Sequence, residues 1–199
     1  AVPQAVPQAV PLMPCRLCLV LGGVRSGKSA FAEKLAGELH QPTLYVATGS
    51  PTDTGMAERI RRHRQSRPAH WNILEEPVDL PGRLEAALAM ADPPGVVLID
   101  SLDLWVGNML LNHEKEPADA VASLTLSALE RLLEVCHDSS ASFFIVSGEV
   151  GLAPVPPFAL GRLFQDLLGL VNQQVAAAAQ RVYLVVAGIP VEIKGLADS

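Results

Sequence analysis

The chain has 199 residues, of which 49% are hydrophobic and 18% are charged, and its formal net charge is −6. The length and the apolar content argue against a disordered chain and predict a single α/β domain with a full core. The acidic balance argues against general attraction to nucleic acid or anionic membranes, although five of the fifteen Lys and Arg residues lie within residues 59–67.

The cysteine content and the lengths of the apolar runs indicate in which cellular compartment the protein is expected. Three cysteines, an odd number, indicate a reducing environment rather than a disulfide framework, so we expect a cytoplasmic protein. Cys15 and Cys18 form a CxxC pair, but no second pair or neighbouring histidine completes a zinc site, and the pair precedes a strand rather than a helix. No apolar run approaches the roughly 20 residues that span a bilayer, so we expect no membrane span.

Residues 1–14 include a repeat of Ala-Val-Pro-Gln in which proline removes a backbone donor at every fourth position. This composition predicts an extended, flexible tail without the basic and apolar regions of a signal peptide. No later change in composition suggests a second domain. Residues 15–199 are therefore predicted to form one domain.

Residues 17–21 form an apolar run that predicts a buried strand, and residues 22–29 follow it directly. This second segment, Gly-Gly-Val-Arg-Ser-Gly-Lys-Ser, has the spacing of a phosphate-binding P-loop. Its glycines permit a tight turn whose N–H groups point at phosphate oxygens, and the helix predicted next presents its positive end to the same anion. The residues that we predict to bind nucleotide here are Gly22, Gly23, Val24, Arg25, Ser26, Gly27, Lys28 and Ser29.

Three of these side chains have predicted roles in chemistry. Lys28 is a candidate catalytic residue, because its ammonium group can reach the β- and γ-phosphates, and the Ser29 hydroxyl can bind Mg²⁺. Arg25 could neutralise charge that develops during phosphoryl transfer, or it could be a solvent-exposed loop residue. The alternative for the whole segment is a glycine-rich turn that binds nothing.

Residues 43–47 predict a second buried strand, and the turn-forming residues 48–55 predict a loop at its carboxyl end. In open α/β sheets this edge is where ligands bind.

A short, strongly basic helix is predicted over residues 56–66. Arg59 and His63 are four apart and share one face of it, and Arg62 precedes the histidine. A neutral imidazole among guanidinium groups is a candidate nucleophile toward phosphorus, because histidine forms covalent intermediates and cations stabilise the anionic transition state. Arg59 and Arg62 are accordingly predicted to bind nucleotide. A solvated helix face is the alternative.

From residue 72 onward, predicted strands and helices alternate. The predicted strands are 72–76, at a sheet edge, then 95–100, 142–147, 181–187 and 189–193, and the predicted helices are 80–90, 101–112, 118–137 and 158–179. The alternation predicts an α/β fold, a three-layer P-loop nucleotide-binding fold with a mostly parallel central sheet.

Two acidic residues follow these strands closely. Asp100 ends the apolar run 95–100, where a carboxylate can hold Mg²⁺ or its waters together with Ser29. A helix N-cap is the alternative role for Asp100. Glu149 lies in a Gly-Glu-Val-Gly loop at another strand end and is a candidate nucleotide-binding residue.

Seven short blocks carry a family resemblance. They are Gly-Gly-Val-Arg-Ser-Gly-Lys-Ser at 22–29, Tyr-Val-Ala-Thr at 45–48, Met-Ala-x-Arg-Ile-x-x-His-Arg at 56–64, Arg-Pro-Ala-His-Trp at 67–71, Asp-Ser-Leu-x-x-Trp-x-x-Asn at 100–108, Gly-Glu-Val-Gly at 148–151 and Gly-Ile-x-Val-x-Ile-Lys at 188–194. In this order they resemble the bifunctional adenosylcobinamide kinase/adenosylcobinamide-phosphate guanylyltransferases of cobalamin biosynthesis. The resemblance covers nearly the whole chain.

The resemblance implies two reactions. A nucleoside triphosphate, ATP or GTP, first phosphorylates the aminopropanol hydroxyl of adenosylcobinamide. GTP then guanylylates a histidine with release of pyrophosphate, and the phosphate of the substrate takes the GMP to give adenosylcobinamide-GDP. His63 matches the family's nucleophile. The resemblance also implies a homotrimer.

Three positions depart from the family pattern. Gly148 stands where relatives often carry Asn, and this difference could change a polar contact in the site. Pro190 and Glu192 replace a more usual Gly and Lys in the predicted terminal strand. Because His63 is retained, the transferase activity remains expected. The alternatives are a P-loop small-molecule kinase or NTP hydrolase without a covalent intermediate, and an RNA-binding module whose affinity would fall steeply with salt.

Overall fold

The structure is a computed structural model, and it describes residues 16–50 and 70–194. The described strands are β1 (Leu17–Gly22), β2 (Thr43–Ala47), β3 (Asn72–Glu75), β4 (Val96–Asp100), β5 (Ser142–Gly148), β6 (Arg181–Val186) and β7 (Ile189–Lys194). The described helices are α1 (Lys28–Glu38), α2 (Leu80–Leu88), α3 (Leu102–Asn112), α4 (Ala118–Asp138) and α5 (Ala159–Ala178).

The described strands form one sheet in the order β3-β2-β4-β5-β1-β6-β7. All neighbouring strands pair in parallel except β6 and β7, which pair antiparallel. The strand predicted at an edge, β3, is the outermost strand at one side. The prediction of a mostly parallel sheet in a three-layer α/β fold is therefore confirmed.

Both faces of the sheet are covered, which explains why β1 is apolar along its whole length. All six residues of β1 are buried. On one face the sheet packs against Ala32, Leu35 and Ala36 of α1. On the opposite face the core continues into the other four described helices, α2 to α5. The carboxyl ends of β4, β5 and β1, which are neighbours in the sheet, are thereby held in one row.

The antiparallel strand β7 accommodates two of the departures from the family pattern. A two-residue turn at residues 187–188, with φ of 52° and 82°, reverses the chain after β6. Pro190 lies in β7 at the sheet edge, where a missing N–H is tolerated. The Glu192 carboxylate lies 3.5 Å from Arg181 Nε and accepts a hydrogen bond from the Tyr183 hydroxyl at 3.3 Å.

The remaining predictions of local structure have mixed outcomes. Helix α2 ends at Leu88, two residues before the predicted end. The predicted tail over residues 1–14 and the predicted basic helix over residues 56–66 lie outside the described residues. None of the described helices combines the length and the apolar character needed to cross a bilayer.

Candidate nucleotide-binding site

The loop between β1 and α1 has the compact geometry that its glycines predict. An added Cβ at Gly22 would lie 2.4 Å from Ser26 Oγ and 2.8 Å from the Val185 carbonyl oxygen, so a side chain cannot fit there without a shift. Gly27 has φ of 96°, in the left-handed region that glycine tolerates without strain. The Ser26 N–H donates to the Gly23 carbonyl at 3.3 Å and closes the turn.

Lys28 is the first residue of α1 and is only 8% exposed. Its Nζ donates to the Gly23 carbonyl at 3.3 Å, so the ammonium group reaches back along the loop. No carboxylate of the described residues forms an ion pair with it. A buried cation without a counter-ion, at the positive end of a helix, favours the binding of an anion such as a phosphate group.

Asp100 lies directly across from the start of α1. One carboxylate oxygen accepts the Ser29 hydroxyl at 3.2 Å, and the other accepts the Tyr45 hydroxyl at 2.5 Å. The N-cap position of α3 is Ser101, so Asp100 is the last residue of β4 and not a helix cap. A carboxylate and a hydroxyl in contact are the oxygen ligands that suit Mg²⁺. Ser29 and Asp100 therefore fit this ion.

Three other predicted nucleotide-binding residues, Val24, Arg25 and Glu149, lie near this centre. Val24 and Arg25 are exposed at the tip of the loop, and Arg25 has φ of 56°. Glu149 follows β5, and its N–H donates to the Gly22 carbonyl at 3.1 Å. Its carboxylate accepts the N–H of Gly151 at 2.6 Å. Glu149 is thus placed beside the first residue of the loop, and its contact with a nucleotide stays a prediction.

The chain is similar to known proteins over nearly all of its described residues. A family model described as "Cobinamide kinase / cobinamide phosphate guanyltransferase" matches residues 18–193. The chain belongs to this family.

Two relatives show how far the similarity extends. The "Bifunctional adenosylcobalamin biosynthesis protein CobU" of Escherichia coli (strain K12) is 40% identical over 184 residues, which cover 89% of this chain and 99% of that protein. The "Bifunctional adenosylcobalamin biosynthesis protein CobP" of Pseudomonas aeruginosa is 39% identical over 177 residues, which cover 89% of this chain and 96% of that protein. As a family member, this chain is an enzyme, a bifunctional kinase and guanylyltransferase that uses nucleotide substrates.

The residues predicted for the guanylyltransferase half, Arg59, Arg62 and His63, lie outside the described residues. The segment that carries them leaves the described chain after Ser50, beyond the carboxyl end of β2, and returns at His70 before β3. Because Ala47 at the end of β2 pairs with Asp100, the described chain up to Ser50 ends near the carboxyl ends of the strands, where the P-loop also lies.

A hydrogen-bond network behind the site was missed by the assignment of roles from sequence. The fully buried Thr48 hydroxyl donates to the Ser101 carbonyl at 2.7 Å and accepts the Ser101 N–H at 2.8 Å. Asn108 Nδ2 donates to the Thr48 carbonyl at 2.7 Å, and Trp105 Nε1 donates to the Val78 carbonyl at 2.9 Å. The bonds of Thr48 fix the end of β2 against the start of α3 and against Asn108, and the Trp105 bond joins α3 to the residues before α2. The family blocks contain these residues, and that was the available signal.

Proposed function

We propose that this enzyme phosphorylates adenosylcobinamide and then transfers GMP from GTP, through a His63–GMP intermediate, to adenosylcobinamide phosphate, giving adenosylcobinamide-GDP. The observation that carries the proposal is the match of residues 18–193 to a family whose description names both activities. The geometry around Lys28 and Asp100 supports the phosphoryl-transfer half, and the basic sequence around His63 supports the other half.

In the kinase step, the acceptor hydroxyl loses its proton as its oxygen attacks the γ-phosphorus of ATP or GTP, the bond to the β-phosphate oxygen breaks, and ADP or GDP leaves. Lys28 and the N–H groups of the loop bind the phosphates and stabilise the negative charge of the transition state. Arg25 extends this positive field at the tip of the loop. Ser29 and Asp100 would hold Mg²⁺, which neutralises charge on the phosphate oxygens when it is bound.

In the guanylyltransferase step, an imidazole nitrogen of His63 forms a bond to the α-phosphorus of GTP, and pyrophosphate leaves. A phosphate oxygen of adenosylcobinamide phosphate then attacks the same phosphorus, and His63 leaves as the neutral imidazole. Arg59 and Arg62 bind the phosphates of the nucleotide, and Glu149 contacts the nucleotide beside the P-loop. The departure of the segment after Ser50 from the P-loop edge supports this arrangement.

The setting of the enzyme belongs to the same proposal. We infer that residues 15–199 form one domain, since β1 and β7 belong to a single sheet, and that residues 1–14 are a tail. The odd number of cysteines supports a cytoplasmic location. The family resemblance supports a homotrimer.

The division of labour is tested with two variants assayed for each half-reaction. His63→Ala is expected to abolish guanylyl transfer and leave the phosphorylation of adenosylcobinamide within about threefold of wild type. Lys28→Ala is expected to impair both reactions. His137→Ala is the matched control, because His137 is an exposed histidine in the last turn of α4 and lies outside the family blocks. Equal loss of both activities in His63→Ala would refute the proposed role, and undiminished nucleotide turnover in Lys28→Ala would remove the P-loop from the mechanism.

A further inference from the structure

The hairpin formed by β6 and β7 carries exposed apolar side chains at its turn. Val186 at the end of β6 is 57% exposed, and Ile189 at the start of β7 is 66% exposed. Residues 186–190, Val-Ala-Gly-Ile-Pro, are all exposed, and none of them has a charged or hydrogen-bonding side chain. We call residues 186–190 the hairpin tip. It overlaps the family block at residues 188–194, which has no role in the reactions described above.

Val186 and Ile189 form one small apolar surface on the hairpin tip. The two residues are directly opposite each other in the antiparallel pair of β6 and β7, so their Cβ atoms are about 5 Å apart and their side chains share one face. The preceding residue, Val185, is buried in the core on the α1 face of the sheet, so Val186 and Ile189 lie on the other face. Their exposure shows that the described helices leave this surface uncovered.

The hairpin tip packs directly against the P-loop. The Gly188 N–H donates to the Ser26 carbonyl at 2.8 Å. An added Cβ at Gly27 would lie 3.4 Å from Gly188 Cα, and one at Gly22 would lie 2.8 Å from the Val185 carbonyl oxygen. The backbones of the loop and of the hairpin are therefore immediate neighbours. The exposed apolar surface begins where the phosphate-binding loop ends.

The strand order indicates which end of a bound nucleotide reaches the hairpin tip. Bound Mg²⁺ bridges the β- and γ-phosphates, and Ser29 and Asp100 fit this ion, so the γ-phosphate lies toward β4. Strands β4 and β6 lie on opposite sides of β1 in the sheet. The base is the end of the nucleotide farthest from the γ-phosphate. A triphosphate bound in this direction therefore carries its base toward β6 and the hairpin tip.

The chemistry of the hairpin tip suits a base and not a phosphate group. Small-molecule sites are lined mainly by apolar side chains, and every base has a flat π-face that packs on such side chains. The tip has no charged side chain to bind the phosphates. A base that covers Val186 and Ile189 removes their exposed apolar surface from water, which is favourable.

We propose that Val186 and Ile189 form a platform on which the purine base of the kinase-step nucleotide packs while the P-loop binds its phosphates. This proposal rests on the proposed function for the identity of the nucleotide. The contact needs no hydrogen bond from a side chain, so it contributes affinity for adenine and for guanine. The platform holds the nucleoside end of the substrate and takes no part in the transfer of the phosphoryl group.

The test measures the binding of two probes by calorimetry in the presence of Mg²⁺, a non-hydrolysable ATP analogue and inorganic tripolyphosphate. Ile189→Ala is expected to bind the ATP analogue about fivefold more weakly than wild type, because it removes apolar contact with the base. Its affinity for tripolyphosphate is expected to stay at the wild-type value, because that probe has no base. Val186→Ala is expected to have a smaller effect in the same direction, because it removes fewer carbon atoms.

The matched control is Ile193→Ala. Ile193 also lies in β7 and is 43% exposed, but it is four residues, roughly 13 Å, farther along the strand from the P-loop. This variant is expected to bind both probes with wild-type affinity.

The possible failures are distinguishable. Equal affinity of Ile189→Ala and wild type for the ATP analogue would overturn the platform alone. An equal loss of affinity for both probes would assign the effect to a distorted P-loop and would also overturn the platform. A changed molar mass of Ile189→Ala in sedimentation, with unchanged affinity for the analogue, would assign the hairpin tip to a contact between subunits. Absence of binding of either probe by wild type would overturn the nucleotide site of the proposed function and the platform with it.

Discussion

Replacing Thr48 by Val removes one hydroxyl that makes two hydrogen bonds in the interior of the protein. Both bonds go to the backbone of Ser101, at 2.7 Å and 2.8 Å. After the substitution, the Ser101 carbonyl keeps its helical bond from the Trp105 N–H at 3.1 Å. The Ser101 N–H loses the partner that the Thr48 hydroxyl provides. Valine has nearly the same shape, so the change is mainly the loss of these bonds.

The expected cost follows from these two losses. A net hydrogen bond contributes about 1 kcal/mol, and an orphaned buried donor costs about 1–3 kcal/mol. We therefore expect Thr48→Val to lower the free energy of unfolding by about 2–4 kcal/mol, measured by denaturant titration with an unchanged m-value. Because Ser101 follows Asp100, we also expect nucleotide turnover to fall.

The matched control for this prediction is Thr125→Val. Thr125 is also fully buried, but its hydroxyl donates to the Val121 carbonyl within α4 at 2.8 Å, and within residues 16–50 and 70–194 no backbone N–H donates to it. We expect a cost below about 1 kcal/mol there. Equal destabilisation by Thr48→Val and Thr125→Val would show that the Thr48 network has no special role.

Two further predictions concern a tyrosine and a cysteine. Tyr45→Phe removes the 2.5 Å bond to the Asp100 carboxylate, so we expect nucleotide binding to need about tenfold more Mg²⁺ for half-saturation. Tyr183→Phe removes a 3.3 Å bond to Glu192 and should leave this Mg²⁺ concentration unchanged. Equal Mg²⁺ titrations for the two variants would refute the role of Tyr45. Burial raises the pKa of the Cys136 thiol from 9.0 to about 12. Between these pH values the unfolded state loses a proton that the native state retains, so the free energy of unfolding falls by about 1.4 kcal/mol per pH unit. Denaturant titrations across this pH range should show a shallower fall for Cys136→Ala, and an identical slope would contradict the assignment.

The sequence predicts most of the fold because the signals are local. The apolar run before the P-loop defines β1 by itself, and the glycines at 22 and 27 are required by the turn that they form. The pairing of Asp100 with Ser29 also follows from local pattern, since both lie at predicted ends of elements that share one sheet edge. The helix that carries His63 stays a prediction.

The missed residues have partners far away in sequence. Thr48 and Ser101 are 53 positions apart, and Tyr45 and Asp100 are 55 apart. Tyrosine in a predicted strand indicates only β structure, and threonine in a predicted loop indicates only a turn, so neither local pattern assigned a role to these hydroxyl groups.

The covalent intermediate on His63 is the central claim, and labelling tests it most directly. The protein is incubated with Mg²⁺ and GTP labelled at the α-phosphate, denatured, and digested for mapping, with γ-labelled GTP and the His63→Ala variant as controls. The account predicts an acid-labile, base-stable phosphoramidate on His63 from the α-label alone. Absence of retained label in protein that still phosphorylates its acceptor would contradict the intermediate and leave a P-loop kinase.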